Sequence, residues 1–133
     1  MTVVEPERAS QVRGYVRDRV TISCRFTATN LATGQLLVLG TSIPETAREA
    51  MDFFQWAVEY IATQMTTQAA RDEAQAWLDN SERQVLVLQG LRQHQARSFE
   101  TVEDGYLLQV SGTPRTTRVM RTLVTTRGVV PGV

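Results

Sequence analysis

The sequence predicts an α+β fold in which an antiparallel β-meander packs on one long helix, with a shorter helix beside it. Three observations carry that prediction. Residues 19–29 alternate apolar and polar side chains, the period of a half-buried strand. Between residues 44 and 65, apolar residues recur at helical spacing. Asp104-Gly105 stands between two alternating runs and is the strongest short hairpin signal in the chain. The elements read in the order β-β-α-α-β-β-β-β, and a meander covered on one face by helices is the layer arrangement that suits it.

The 133 residues are close to the commonest size of a single domain. Residues 12–127 read as that domain, 1–11 as a flexible N-terminal arm and 128–133 as a flexible C-terminal tail. From Val12 to Asn30 the first strand places Val20, Ile22, Cys24, Phe26 and Ala28 on one side. Arg19, Thr21, Ser23, Arg25, Thr27 and Thr29 fall on the other. Gly14 and Asp18 fall on the apolar side, so a bend or bulge is expected near Arg17-Asp18. The run from Asn30 to Gly34 reads as a hairpin loop. A second strand follows from Gln35 to Thr41. Its Leu36, Leu37, Val38 and Leu39 are apolar on both faces, the pattern of a strand interior to a sheet.

Ser42-Ile43-Pro44-Glu45 reads as a helix start, with Ser42 as cap and Pro44 near the first turn. The long helix runs to about Met65. Ala47, Ala50, Met51, Phe54, Ala57, Val58, Ile61 and Met65 form its inner stripe, which Phe53, Trp56 and Tyr60 widen. A second helix is expected over 68–79 with Ala70, Ala74, Trp77 and Leu78 inward. Val85-Leu86-Val87-Leu88 fits a strand by shortness and β-branching, and a helix by the spacing of Val85, Leu88 and Leu91. The strand is the preferred reading. If Asp104-Gly105 is a two-residue turn, Glu103 faces Tyr106, Thr101 faces Leu108 and Phe99 faces Val110. Gly112-Thr113-Pro114 reads as a further turn, followed by a last strand over 116–127.

Little in the chain points to catalysis. His94 is the only histidine and lies in the polar run Gln93-His94-Gln95, so it reads as a surface residue. Cys24 is the only cysteine and points to the apolar side of its strand, where a thiol is inert. No phosphate-binding glycine loop, nucleophile elbow or metal-ligand spacing is present, so no catalytic residue, metal or cofactor is assigned. Glu45, Glu49 and Asp52 line the first turns of the long helix, where the helix dipole favours carboxylates. By strand order and helix length the arrangement resembles the hotdog fold, whose enzymes act on acyl thioesters. The resemblance is one of architecture, carries no hotdog motif, and leaves the second helix without a place.

Charge is more informative. The net charge is zero, and all fourteen basic residues are arginine. Residues 12–30 carry Arg13, Arg17, Arg19 and Arg25 against Asp18, and residues 106–133 carry Arg115, Arg118, Arg121 and Arg127 with no acid. Residues 44–82 carry eight acids against Arg48 and Arg71. Basic strands and acidic helices imply a two-sided molecule. Arg13, Arg17, Arg19, Arg25, Arg115, Arg118 and Arg121 are the candidate partner-binding face. Phe53, Trp56 and Tyr60 are a candidate protein interface, because the helix has more apolar surface than one sheet face needs.

The favoured function is a non-enzymatic interaction or structural module that oligomerises or docks onto a larger assembly, such as a phage or macromolecular-complex component. Its partner is another copy of the chain or another protein. A sheet-face binder of single-stranded nucleic acid is the second reading, and a hotdog-like acyl-thioester enzyme the third. No run of about 18 apolar residues suggests a membrane span. The first seven residues lack the basic and apolar regions of a secretory signal. With one cysteine, these features set a cytoplasmic expectation.

Overall fold

The computed structural model of the chain describes residues 14–122, and side chains from 18 to 118. It is an α+β structure with a four-stranded antiparallel sheet and three helices. In chain order these are β1 (Gly14–Asn30), β2 (Leu36–Ser42), α1 (Ala47–Gln64), α2 (Gln68–Leu78), α3 (Ser81–Arg92), β3 (Arg97–Glu103) and β4 (Tyr106–Thr122). The strands lie in the order β2-β1-β4-β3. The chain divides into two compact units, residues 1–19 with 116–133 and residues 20–115. The described part of the first is the N-terminal end of β1 and the C-terminal end of β4. There Arg118 Nε lies 3.6 Å from Asp18 Oδ1, with both side chains well exposed. The second holds the helices and the hydrophobic core. The expected arm (1–11) and tail (128–133) lie outside the described residues.

The alternation in β1 produces the core as expected. Ile22, Cys24, Phe26 and Ala28 are buried, while Arg19 and Arg25 are exposed. Thr27 departs from the pattern and is buried on the polar side. A register shift in the β1–β2 ladder accompanies it: Phe26 pairs with Gly40 and Thr27 with Val38, leaving Leu39 as an extra residue. This irregularity lies further along the strand than the Arg17-Asp18 step. The β1–β2 loop is closed by Asn30, whose Oδ1 accepts from the N–H groups of Ala32 and Thr33 at 2.9 and 3.1 Å.

β2 overturns one expectation. Its doubly apolar pattern implied an interior position, yet it is an edge strand. Leu36, Leu37, Val38 and Leu39 are each 44–50% exposed. The interior of the sheet is taken by β1 and β4, because Leu31 N–H donates to Gly105 carbonyl at 2.9 Å and joins the two hairpins there.

α1 begins later than Ser42. Thr46 is its cap, accepting from Glu49 N–H at 3.1 Å, and Glu49 in turn accepts from Glu45 N–H at 3.3 Å. Ser42 instead closes β2, and the carbonyl of Pro44 accepts from Ile22 N–H at 2.9 Å. The inner stripe of α1 is buried from Ala47 to Ile61, with Ala50, Phe54, Ala57, Val58 and Ile61 fully enclosed. Trp77 of α2 stacks near Phe54 of α1 at 6.3 Å and meets Phe99 of β3 edge-on at 6.1 Å. That single indole ties two helices to the sheet.

Residues 85–88 are helical, which corrects the strand expectation. The Asn80 side chain accepts from Arg83 N–H at 3.1 Å and so caps α3. Once α3 is capped there, Val87, Gly90 and Leu91 become its buried face, and Val85 and Leu86 remain exposed. The helix ends in a Schellman motif, with Gln95 N–H to Gly90 carbonyl at 2.8 Å and His94 N–H to Leu91 carbonyl at 3.2 Å. His94 holds the left-handed position, φ 60°. Gly90 leaves room for the Arg97 guanidinium, which a Cβ would strike.

The second hairpin forms in the expected register, Phe99 with Val110, Thr101 with Leu108 and Glu103 with Tyr106. Asp104 and Gly105 both have positive φ, 44° and 82°, as a two-residue turn matched to strand twist requires. The turn expected at Gly112-Thr113-Pro114 is absent, and β4 continues to Thr122. Arg97 opposite Gly112 is the last β3–β4 pair. Pro114 therefore falls where β3 no longer flanks the strand and a missing N–H is tolerated.

The α1–α2 joint is held by charge. Arg71 Nη1 donates to the carbonyls of Met65 and Thr66 at 2.7 and 3.0 Å. Glu103, at the end of β3, accepts from Thr66 N–H at 3.1 Å, Thr66 Oγ1 at 2.7 Å, Thr67 N–H at 3.0 Å and the Thr67 hydroxyl. Glu103 thus supplies from the sheet the carboxylate that the start of α2 lacks. The Thr67 and Thr66 hydroxyls, then their N–H groups, pull its pKa from 4.5 down to about 2. Glu103→Gln is expected to lower stability by about 1 kcal/mol at neutral pH, the scale of a lost cap. A depressed carboxylate stabilises above its ordinary pKa. The difference between wild type and variant should therefore be complete above about pH 4.5 and close as the pH falls toward about 2. Chemical denaturation of both proteins across that range measures it.

Candidate docking surface

An exposed apolar region of the second unit is built from β2 and one flank of α1. Phe53, Trp56 and Tyr60 follow one another at helical spacing on α1, beside the buried stripe. Trp56 and Tyr60 meet Phe26 of β1 edge-on, with ring centroids 6.1 and 5.9 Å away, and Phe53 lies 5.6 Å from Trp56. Gly40 of β2 makes room for this cluster. A Cβ there would stand 3.1 Å from Cη2 and Cζ3 of the Trp56 ring. One side of each ring is thus fixed by the core, and the other faces solvent, Trp56 at 49% and Tyr60 at 44% exposure. The structure brings the three aromatic residues together as the sequence suggested. It adds the four apolar residues of β2, which sequence reasoning assigned to the sheet interior. Their apolarity on both faces was the available signal.

The two edges of the sheet differ in kind. β3 carries Arg97, Glu100 and Glu103 along its length and packs against α2 and α3. Charges on an edge strand discourage pairing with another chain. β2 carries no charge, and neither does any residue from Gln35 to Pro44.

The arginines are placed less informatively. Arg19, Arg25, Arg115 and Arg118 are exposed, and Arg118 lies beside Asp18. The strands extend through Arg17 and Arg121, and Arg13 lies outside the described residues. On the sheet face away from the helices, the described residues of β1, β3 and β4 include Thr21, Ser23, Ser98, Ser111 and Thr113. Glu100 also lies there, holding Gln109 Nε2 at 2.6 Å. All eight acids between residues 44 and 82 are exposed.

The groups with catalytic potential have structural surroundings. His94 is exposed and terminates α3. Among the described residues, no three histidine, cysteine, aspartate or glutamate side chains converge as a metal site would need. No described helix is long and apolar enough to cross a membrane. No protein-family model matches this chain, and no match was found among curated proteins or solved structures.

Cys24 is buried at 1% exposure, and desolvation pushes its thiol up to about 11. At pH 8 it is expected to resist a maleimide or disulfide reagent in the native protein and to react fully in denaturant. Rapid stoichiometric labelling without denaturant would show that β1 opens on its inner side.

Proposed function

We propose that this protein is a non-enzymatic structural module that self-associates, alone or as part of a larger assembly. One observation carries the reading. β2 has the composition of an interior strand but stands at the edge of the sheet, uncharged and half exposed. Natural edge strands are normally shielded by charge, proline or a covering element, and an open apolar one is a pairing surface. The aromatic flank of α1 adjoins β2 on its helix side, over Gly40, and aromatic residues half fixed by the core are suited to interfaces because little side-chain freedom remains to be lost. The burial of Cys24 and the end-of-helix position of His94 support a role without catalysis.

The first test is native mass. The chain weighs 14.9 kDa, and sedimentation at micromolar concentration is expected to show species of at least twice that. A single 14.9 kDa species throughout would overturn self-association.

Binding of single-stranded nucleic acid is a second reading, favoured by the exposure of Arg19, Arg25, Arg115 and Arg118. It requires affinity for an oligonucleotide that falls steeply with salt. Replacing Arg25 and Arg115 with glutamine should weaken that binding, while stability changes by less than about 0.5 kcal/mol. Titration of a labelled oligonucleotide at low salt that shows no binding removes this reading.

A further inference from the structure

We infer that the occupant of the β2 edge is the β2 edge of a second copy, paired antiparallel about a two-fold axis at Leu37. This rests on the self-association reading and specifies its surface and register.

Three features point to a second copy. The first is charge. A two-fold contact sets every residue near the axis against its own copy or a close neighbour, so any charge meets its like. The ten residues from Gln35 to Pro44 carry none, which makes this edge compatible with itself. The other edge, with Arg97, Glu100 and Glu103, is not so constituted.

The second feature is area. Leu36, Leu37, Val38, Leu39, Trp56 and Tyr60 are all about half exposed. They offer on the order of 100 Å² each, and with the strand backbone this approaches the roughly 800 Å² per partner of a standard interface.

The third feature is the bulge, which fixes the register. Residues directly opposed in an antiparallel pair point to the same face of the sheet. Leu37 pairs with the buried Ala28 and so lies on the helix side. Leu36 and Val38 pair with Thr29 and Thr27 and lie on the other side. Beyond the extra residue Leu39, Gly40 is again on the helix side, opposite Phe26. A two-fold at Val38 would oppose Leu36 to Gly40, which face opposite ways. A two-fold at Leu36 would oppose Val38 to Gly34, which lies in the loop with φ 76°. Within the apolar run, only a two-fold at Leu37 keeps the faces in step, opposing Leu37 to Leu37 and Leu36 to Val38; a two-fold at Thr41 also would, opposing Gly40 to Ser42, but it leaves Leu36 to Val38 without partners in the contact. The resulting sheet has eight strands, and the helix layers of the two copies lie on one side of it.

A cysteine scan of the full-length chain tests this. Single substitutions at Leu36, Leu37, Val38, Leu39 and Thr41 are oxidised under native conditions, with the unsubstituted protein as control for Cys24. The cross-linked dimer is expected to be most abundant for Leu37→Cys. Mixing Leu36→Cys with Val38→Cys should give more heterodimer than either gives homodimer. Leu36→Lys combined with Val38→Lys should shift the protein to monomer in sedimentation without changing its melting temperature. A dimer by sedimentation that yields no cross-link in β2 and ignores the lysines overturns this inference and leaves self-association standing. A cross-linking maximum at Leu39 or Thr41 overturns the register. A monomer at every concentration overturns both readings.

Discussion

Ala50, Phe54, Ala57, Val58 and Ile61 of α1 have no exposed surface, and Ile22, Cys24 and Phe26 of β1 are nearly as deep. The removal of these groups from water into one continuous cluster is the largest favourable contribution visible in the fold. It dictates where the other elements lie. Phe54 and Ile22 converge on Gly112, whose missing side chain lets β4 pass beneath them. Trp77 brings α2 onto Phe54, and Leu91 brings α3 to the same point from the other side. α2 and α3 both pack against α1 and leave its Phe53-Trp56-Tyr60 flank open.

Apolar burial alone does not fix the angle between helices, and here polar groups supply that specification. At Met65-Thr66-Thr67 the chain leaves one helix and enters the next. Its carbonyls are taken by Arg71 and its N–H groups by Glu103. Thr101, one of the few buried polar residues, donates its hydroxyl to Glu73 of α2 at 2.6 Å. Both links run from β3 to α2, so the edge strand that carries charge is also the one stitched to the helical layer. β2 has no such stitching, and its contact with α1 is through aromatic rings packed over Gly40.

Much of this was legible in the sequence. The alternation of β1, the stripe of α1 and the register of the Asp104-Gly105 hairpin follow from local periodicity and turn chemistry. They were read correctly because local and tertiary demands agree there. The errors arose where one local pattern served two outcomes. Val85-Leu86-Val87-Leu88 suits a strand or a helix, and the deciding bond is the cap from Asn80, the residue that follows the C-cap of α2. Gly112 and Pro114 resemble a turn until it is known that β3 stops opposite Gly112. Leu36 to Leu39 resemble an interior strand, and a sequence does not state which of its strands will find two neighbours within one chain. The aromatic flank was legible because its spacing is helical and its surplus over the inner stripe can be counted. The roles of Glu103 and Arg71 were not, since each acts at a joint formed by elements distant in sequence.

The two central strands of the sheet are also the first and last of the described strands. β1 gains its second neighbour only when β4 arrives, and the bond from Leu31 to Gly105 closes a loop that contains three helices and two other strands. Each hairpin is local and can form in microseconds. The joining of the two is the long-range step, with the highest loop-closure cost. During synthesis the helices and the first hairpin emerge while the inner flank of β1 still has no partner. The domain therefore cannot complete its sheet until β4 has left the ribosome, and until then the nascent chain presents an unpaired strand on both sides of its first hairpin.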